Sequence, residues 1–284
     1  MKASSTTSND TVPQRSKDLP SLLLAKEGFS NVCKTQGTIF PAPNFNPVTD
    51  AQLLGGALQG ISCEKDVLMD ILTQRCNSQR LLIAEAYGDM YGRDLITDLK
   101  ENLSHHFKEV MVGLMYPPAS YDAHELWHAL KGVNTEENCL IDILASRSNT
   151  EIFQMKEAYL MRNVLYKCTV AALICVSCWM VRTTLQKCQG TVFQEFQNIS
   201  GQDLVDAIND CYDGYFQELL VAIVLCVRDK PSYFASRLHS AIHDFGFHNK
   251  TVIRILIARS EIDLMTIRQR YKERYGKSLF HDIK

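Results

Sequence analysis

The chain has 284 residues, 46% hydrophobic and 22% charged, which supplies apolar material for a sizeable core and excludes a compositionally disordered protein. Its formal net charge of −2 excludes a bulk pull toward nucleic acid or anionic lipid, so attachment to an acidic membrane needs a local device. Ten cysteines at irregular spacing, several in apolar helical contexts such as Cys139 and Cys226, read as small buried hydrophobes of a reducing compartment.

Residues 1–37 form a polar arm, expected to be mobile, whose one apolar cluster, Leu22 to Ala25 after Pro20 and Ser21, predicts a short helix. Its first residues carry one cation and no apolar run, unlike a secretory signal. Phe40-Pro-Ala-Pro43 is extended by its prolines. Asp50 is expected to cap a helix with Leu53, Leu54, Ala57 and Leu58 at core spacing, which Gly60 ends. Further helices are predicted over 64–73, 78–91, 94–102 and 105–115, before Pro117 and Pro118 break the chain. Five short helices and no alternating strand pattern give an all-α fold class. No run reaches the ~18–20 apolar residues that span a bilayer.

The chain then repeats itself. Ile71-Leu-Thr-Gln-Arg-Cys-Asn77 returns 72 positions on as Ile143-Leu-Ala-Ser-Arg-Ser-Asn149, and 112 positions after that as Ile255-Leu-Ile-Ala-Arg-Ser-Glu261. Glu85-Ala-Tyr-Gly-Asp-Met-Tyr-Gly-Arg-Asp-Leu95 returns as Gln269-Arg-Tyr-Lys-Glu-Arg-Tyr-Gly-Lys-Ser-Leu279. An offset of 112 falls short of two periods, so the chain reads as a repeat array with roughly thirty residues missing from its middle. The division that follows is a first repeat over 38–117 and the front of a second over 118–159, matching the first from Asp122. A Cys-rich apolar joint covers 160–190. The back of a third repeat covers 191–230, and 231–284, beginning near Ser232, is a fourth that stops before its fifth helix.

Ala57-Leu-Gln-Gly60 and Ala129-Leu-Lys-Gly132 head loops that resemble annexin calcium loops, and Glu137 to Arg147 and Tyr91-Gly-Arg-Asp-Leu95 resemble the helices after them. The resemblance covers most of 38–159 and 192–284. It implies five-helix repeats in a curved disc whose convex face meets anionic phospholipid through bound calcium. In such loops backbone carbonyls and a distant carboxylate hold the ion, and lipid phosphate completes its shell. Calcium then supplies the local charge that the chain lacks.

Residue by residue the loops depart from the family pattern Gly-x-Gly-Thr. The first reads Gly60-Ile61-Ser62-Cys63, and its capping acid falls on Asn102. The second, Gly132-Val133-Asn134-Thr135, keeps one glycine and the threonine; its implied carbonyl ligands are Leu130, Gly132 and Asn134, and its capping acid belongs to the segment replaced after Tyr159. The third unit has no loop, and its cap falls on Cys211 beside Asp210. The fourth has Asp244-Phe245-Gly246-Phe247, and the chain ends before its cap. Calcium binding is therefore expected to be weak or absent.

His124-Glu-Leu-Trp-His128 matches a zinc-protease helix. It lies in register with Gln52 to Gly56, with Leu126, Ala129 and Leu130 as core face and no third ligand at family spacing, so it reads as two histidines on a helix surface. Cys175-Val-Ser-Cys178, with Cys168 and Cys188, lies in an apolar run without turn glycines, unlike a zinc knuckle. Arg268, Arg270, Lys272 and Arg274 read as a solvated face.

The expectation is a non-enzymatic, peripheral, calcium-dependent phospholipid-binding protein, cytoplasmic and on plasma or vesicle membrane, with its activity weakened by its own loops. The competing reading is a calcium-independent protein-interaction scaffold of cytoplasm or nucleus. The fused halves and the shortened last unit are expected to expose apolar surface and to make stability marginal.

Overall fold

A computed structural model describes residues 36–59, 63–131, 135–162, 191–244 and 246–284. The arm 1–35, the loop residues 60–62 and 132–134, the joint 163–190 and Phe245 lie outside it, and with them the expectations for Gly60, Gly132, Asn134, Cys168, Cys175, Cys178 and Cys188. Described regular structure is helical throughout. The first repeat is α1 (Pro47–Gln59), α2 (Lys65–Leu72), α3 (Asn77–Tyr91), α4 (Leu95–Asn102) and α5 (His105–Met115). Then come α6 (Pro118–Lys131), α7 (Glu137–Ser146), α8 (Asn149–Arg162), α9 (Thr191–Ser200), α10 (Leu204–Cys211), α11 (Gly214–His243), α12 (Asn249–Arg259), α13 (Leu264–Tyr275) and α14 (Leu279–Ile283).

Asp50 does not cap α1. The cap is Asn46, whose Oδ1 accepts from the N–H groups of Val48 and Thr49, with Pro47 at the first helical position, where its missing N–H costs nothing. Asp50 lies one turn inside and is buried because it pairs with Arg75 at 2.7 Å. Asp122 repeats this, pairing with Arg147 at 2.6 Å one turn inside α6, which starts at Pro118. The other repeated signature recurs as geometry. Left-handed Gly92, Gly201 and Gly276 follow α3, α9 and α13. Asp94, Asp203 and Ser278 then cap the next helix through side-chain oxygens. Tyr87 donates to Asp98 at 2.7 Å, and Tyr271 to Asp282 at 2.8 Å.

α11 is two helices across a bend at Asp229 (φ −154°, ψ 90°). The Asp229 carboxylate accepts from the N–H and hydroxyl of Ser232 at 3.2 and 2.6 Å, so it caps the second segment, and Pro231 falls in a first turn that tolerates it. The bend falls slightly before Ser232.

Leu54, Leu68, Leu72, Ile83, Tyr87, Leu95, Leu99 and Met115 form the sealed core of the first repeat, each contributing on the order of 2 kcal/mol of burial. The second core is shared. Ile143, Leu144 and Met155 from the front of repeat two join Leu219, Ala222, Ile223 and Cys226 from the back of repeat three, and continue into Leu238, Ile255, Ile267 and Tyr271 of repeat four. The apolar surface left over is local: α9 buries no side chain, α10 buries only Ile208, and Ile199, Met161 and Phe280 are exposed. Not every described cysteine is buried; Cys211 is exposed at the end of a helix that buries almost nothing.

Two sets of hydrogen bonds tie repeat four to repeat one. Glu261 accepts from the Arg80 guanidinium at 2.6 Å and from the Asn77 N–H at 2.8 Å. Residues 36–39 also lie across the α12–α13 turn: Thr38 and Ile39 donate to the Ser260 carbonyl, and Met265 N–H donates to Gln36 O at 2.9 Å. Gly37 sits too close to the Glu261 backbone to carry a Cβ.

Candidate calcium-loop face

Three interhelical loops close with the same backbone bond. Glu64 N–H donates to Ala57 O at 3.1 Å, Glu136 N–H to Ala129 O at 3.1 Å, and His248 N–H to Ala241 O at 2.7 Å. The donor follows the acceptor by seven positions each time, so the α1–α2, α6–α7 and α11–α12 loops have equal length. They share an end of the molecule with the α4–α5 and α10–α11 turns. Lys65, after the first loop, lies 5.6 Å over the Phe107 ring at the start of α5. Asn138 and Ile141 of α7 line a depression with Glu218 and Val221 of α11. His106, Glu136, Phe247 and Lys250 line another, of about 440 Å³.

Of the residues expected to hold calcium, Leu130 lies half-buried in the last turn of α6, while Gly132 and Asn134 lie outside the described residues. Beside that loop Lys131 rests over the Trp127 ring at 4.2 Å. Lys250 pairs with Glu136 at 3.0 Å, which raises the ammonium above its ordinary pKa. In the fourth loop Gly246 takes a left-handed φ of 103°, and Phe247 is exposed where the family pattern has threonine.

The carboxylate positions do not fit calcium. Asn102, the last residue of α4, turns its Nδ2 back to donate to Asp98 O at 2.9 Å and offers at best a neutral amide oxygen. Cys211, the last residue of α10, presents a thiol. Its neighbour Asp210 accepts from Gln202 Nε2 at 2.6 Å. Calcium takes six to eight oxygens, including charged carboxylates. Among the described residues no group of three His, Cys, Asp or Glu side chains is placed to hold a metal ion.

The zinc-protease-like pair has its own surroundings. His124 and His128 lie 4.4 Å apart between ring centroids, His124 stacks on Tyr116, and its Nδ1 is 3.1 Å from Glu125. Burial, then His124, pulls the His128 pKa down. No third ligand joins them among the described residues. The basic cluster on α13 is a solvated face, where Arg270 pairs with Asp229 and Glu273.

Two features escaped sequence reasoning. Asp142, inside α7, gathers Tyr233, Arg237 and Arg254 from the last repeat. Tyr212, Tyr215 and Phe216 stand exposed at the α10–α11 turn. The only signal in the sequence for the second is a cation-free run around Gly214.

The annexin family model matches residues 49–114, 121–163, 190–223 and 233–284. The chain is 64% identical to human annexin A10 and 63% identical to mouse annexin A10, each over 88% of its length and, for the human protein, 91% of that relative. Mouse annexin A4 is 36% identical over 87% of the chain. Among solved structures annexin III superposes with a TM-score of 0.79 at 32% identity, covering 87% of this chain and 92% of that one. With its matched segments falling on the helices and its loops closing alike, the chain belongs to the annexin family.

Proposed function

We propose that this annexin is a non-catalytic, peripheral phospholipid-binding protein that meets anionic membranes with its loop face and responds only weakly to calcium. Annexins are in general calcium-dependent phospholipid-binding proteins. The observation that carries the weak response is Asn102, bonded to its own helix where a carboxylate would be needed. The second loop is the best remaining contact, through Leu130, Gly132 and Asn134. We place the protein in the cytoplasm and on plasma or vesicle membrane. Among the described residues no helix is long and apolar enough to cross a membrane.

The test is co-sedimentation with phosphatidylserine vesicles, with millimolar calcium and with chelator. Partial pelleting in calcium, abolished by Gly132→Pro, supports the reading. Full pelleting at micromolar calcium would overturn the weak response, and absence of pelleting from a folded sample would overturn membrane binding itself.

A further inference from the structure

The α10–α11 turn leaves Tyr212, Tyr215 and Phe216 49, 59 and 52% exposed. Tyr212 and Phe216 meet edge-on with ring centroids 5.5 Å apart, forming a patch rather than scattered rings. From Tyr215 one stripe of α11 runs through Glu218 to Leu225, at spacings that share a helix face; Leu225 is exposed, and Ala222 between them is buried in the core. Its later part lines a depression of about 190 Å³ against Ile141 of α7. The stripe is roughly 15 Å long, about three helical turns.

The unpaired charge around it has one sign; Arg237, which also lines the depression, is paired with Asp142. Residues 191–227 contain six acidic residues and no Lys, Arg or His. Of these, Asp203 is paired, with Arg228. Asp210, Asp213 and Glu218, around the rings, are exposed and have no ion-pair partner among the described residues. Such a rim repels an anionic lipid surface. A two-fold contact between copies would set the same acids against each other. A partner with cations flanking an apolar face meets both features at once.

We propose that this patch docks a basic amphipathic helix of a partner protein, its apolar face on Tyr212, Tyr215 and Phe216 and its cations on Asp210, Asp213 and Glu218. The site needs no calcium loop, although it shares an end of the molecule with the loop face, so a bound partner and a membrane would compete for that end. The test uses the full chain and a fluorescent helical peptide of about 16 residues, long enough to cover the stripe. The peptide has a leucine face and lysines opposite, and a twin carries glutamate for every lysine.

The lysine peptide is expected to bind and the twin to fail. The isosteric triple variant D210N/D213N/E218Q should weaken binding about tenfold, because it neutralises three exposed carboxylates that each attract a lysine modestly. Y215S/F216S should weaken it comparably, while E85Q/D89N on α3 should leave it unchanged, all with the parental melting curve. Equal binding of both peptides, or binding insensitive to the patch variants, overturns the proposal. It is also overturned if Y215S/F216S abolishes vesicle pelleting or self-association in sedimentation velocity, which would assign the patch to lipid or to a second copy.

Discussion

Replacing Asp142 should unseat the last repeat from the second. Asp142 is 2% exposed and accepts from Tyr233 Oη at 2.7 Å, Arg237 Nε at 2.8 Å and Arg254 Nη2 at 2.5 Å. Asp142→Leu keeps the volume and removes the charge. Arg237 retains a quarter of its side chain in solvent and can turn to water, but the Arg254 side chain is 4% exposed and has nowhere to go. Stranding one buried charge costs about 3–5 kcal/mol, which at about 2–4 °C per kcal/mol for a protein of this size lowers the melting temperature by about 6–20 °C. The double variant D142L/R254M removes both charges and should recover most of that stability. Thermal and urea unfolding followed by circular dichroism at neutral pH would measure both. A single variant within ~1 kcal/mol of the parent would refute the assignment of this network as the inter-repeat tie. So would a double variant no more stable than the single.

Gly37→Ala should release residues 36–39 from the α12–α13 turn: its Cβ would lie 2.6 Å from the Glu261 carbonyl carbon, and backbone cannot turn aside as a side chain can. The expected readout is faster hydrogen exchange at Met265, whose N–H is held by Gln36 O, with little change in melting temperature. For pH, burial and then a neighbouring histidine (His124 and His243 respectively) depress the pKa of His128 and His239. The unfolded chain therefore takes up protons near pH 6.5 that the folded chain refuses, so stability falls from about pH 7 to about pH 5, and His239→Asn or His128→Gln should flatten that slope in pH-dependent melts. Below about pH 4 a second decline is expected, because Asp98, Asp203 and Asp282 are held below the usual carboxylate range and their stabilisation disappears as they protonate. S62G/C63T/N102E should restore a full donor set to the first loop and shift half-maximal vesicle pelleting to lower calcium by at least tenfold; an unchanged calcium requirement would show that the loop fails for another reason.

Much of the fold was legible because repetition carries more information than propensity. The Tyr-Gly-Arg-Asp-Leu and Tyr-Gly-Lys-Ser-Leu motifs imply a left-handed glycine followed by a side-chain cap, and both form. Asp50 was misplaced because an aspartate ahead of an apolar stripe satisfies the local logic of a cap equally well. What decides between cap and buried ion pair is an arginine 25 positions away on another element, which no local pattern reveals. The calcium loops were legible as departures from a motif. That Asn102 folds back on Asp98 is a side-chain choice that no motif encodes. Asp142 was invisible for a similar reason: its three partners lie 91 to 112 residues away.

The fused middle was expected to leave two half-cores exposed, and the outcome follows from how such units bury their surface. Each half of a five-helix unit presents an apolar stripe that accepts any helix of matching spacing, because burial is non-directional. The front of repeat two therefore accepts the first half of α11, through Leu219, Ala222, Ile223 and Cys226, although that helix belongs by its sequence to repeat three. What the front does not cover is the stretch between the halves. α9 and α10 bury one side chain between them; most of their apolar residues are only half-buried, and Glu195, Asp206 and Asp210 are exposed. The shared core then runs without interruption from Ala123 to Leu279, so the hybrid unit has no core separable from that of repeat four. Stability is thus concentrated where α7, α11 and α12 meet around Asp142, and free surface is concentrated at the α10–α11 turn. The free surface there is an acidic aromatic patch that a partner can reach.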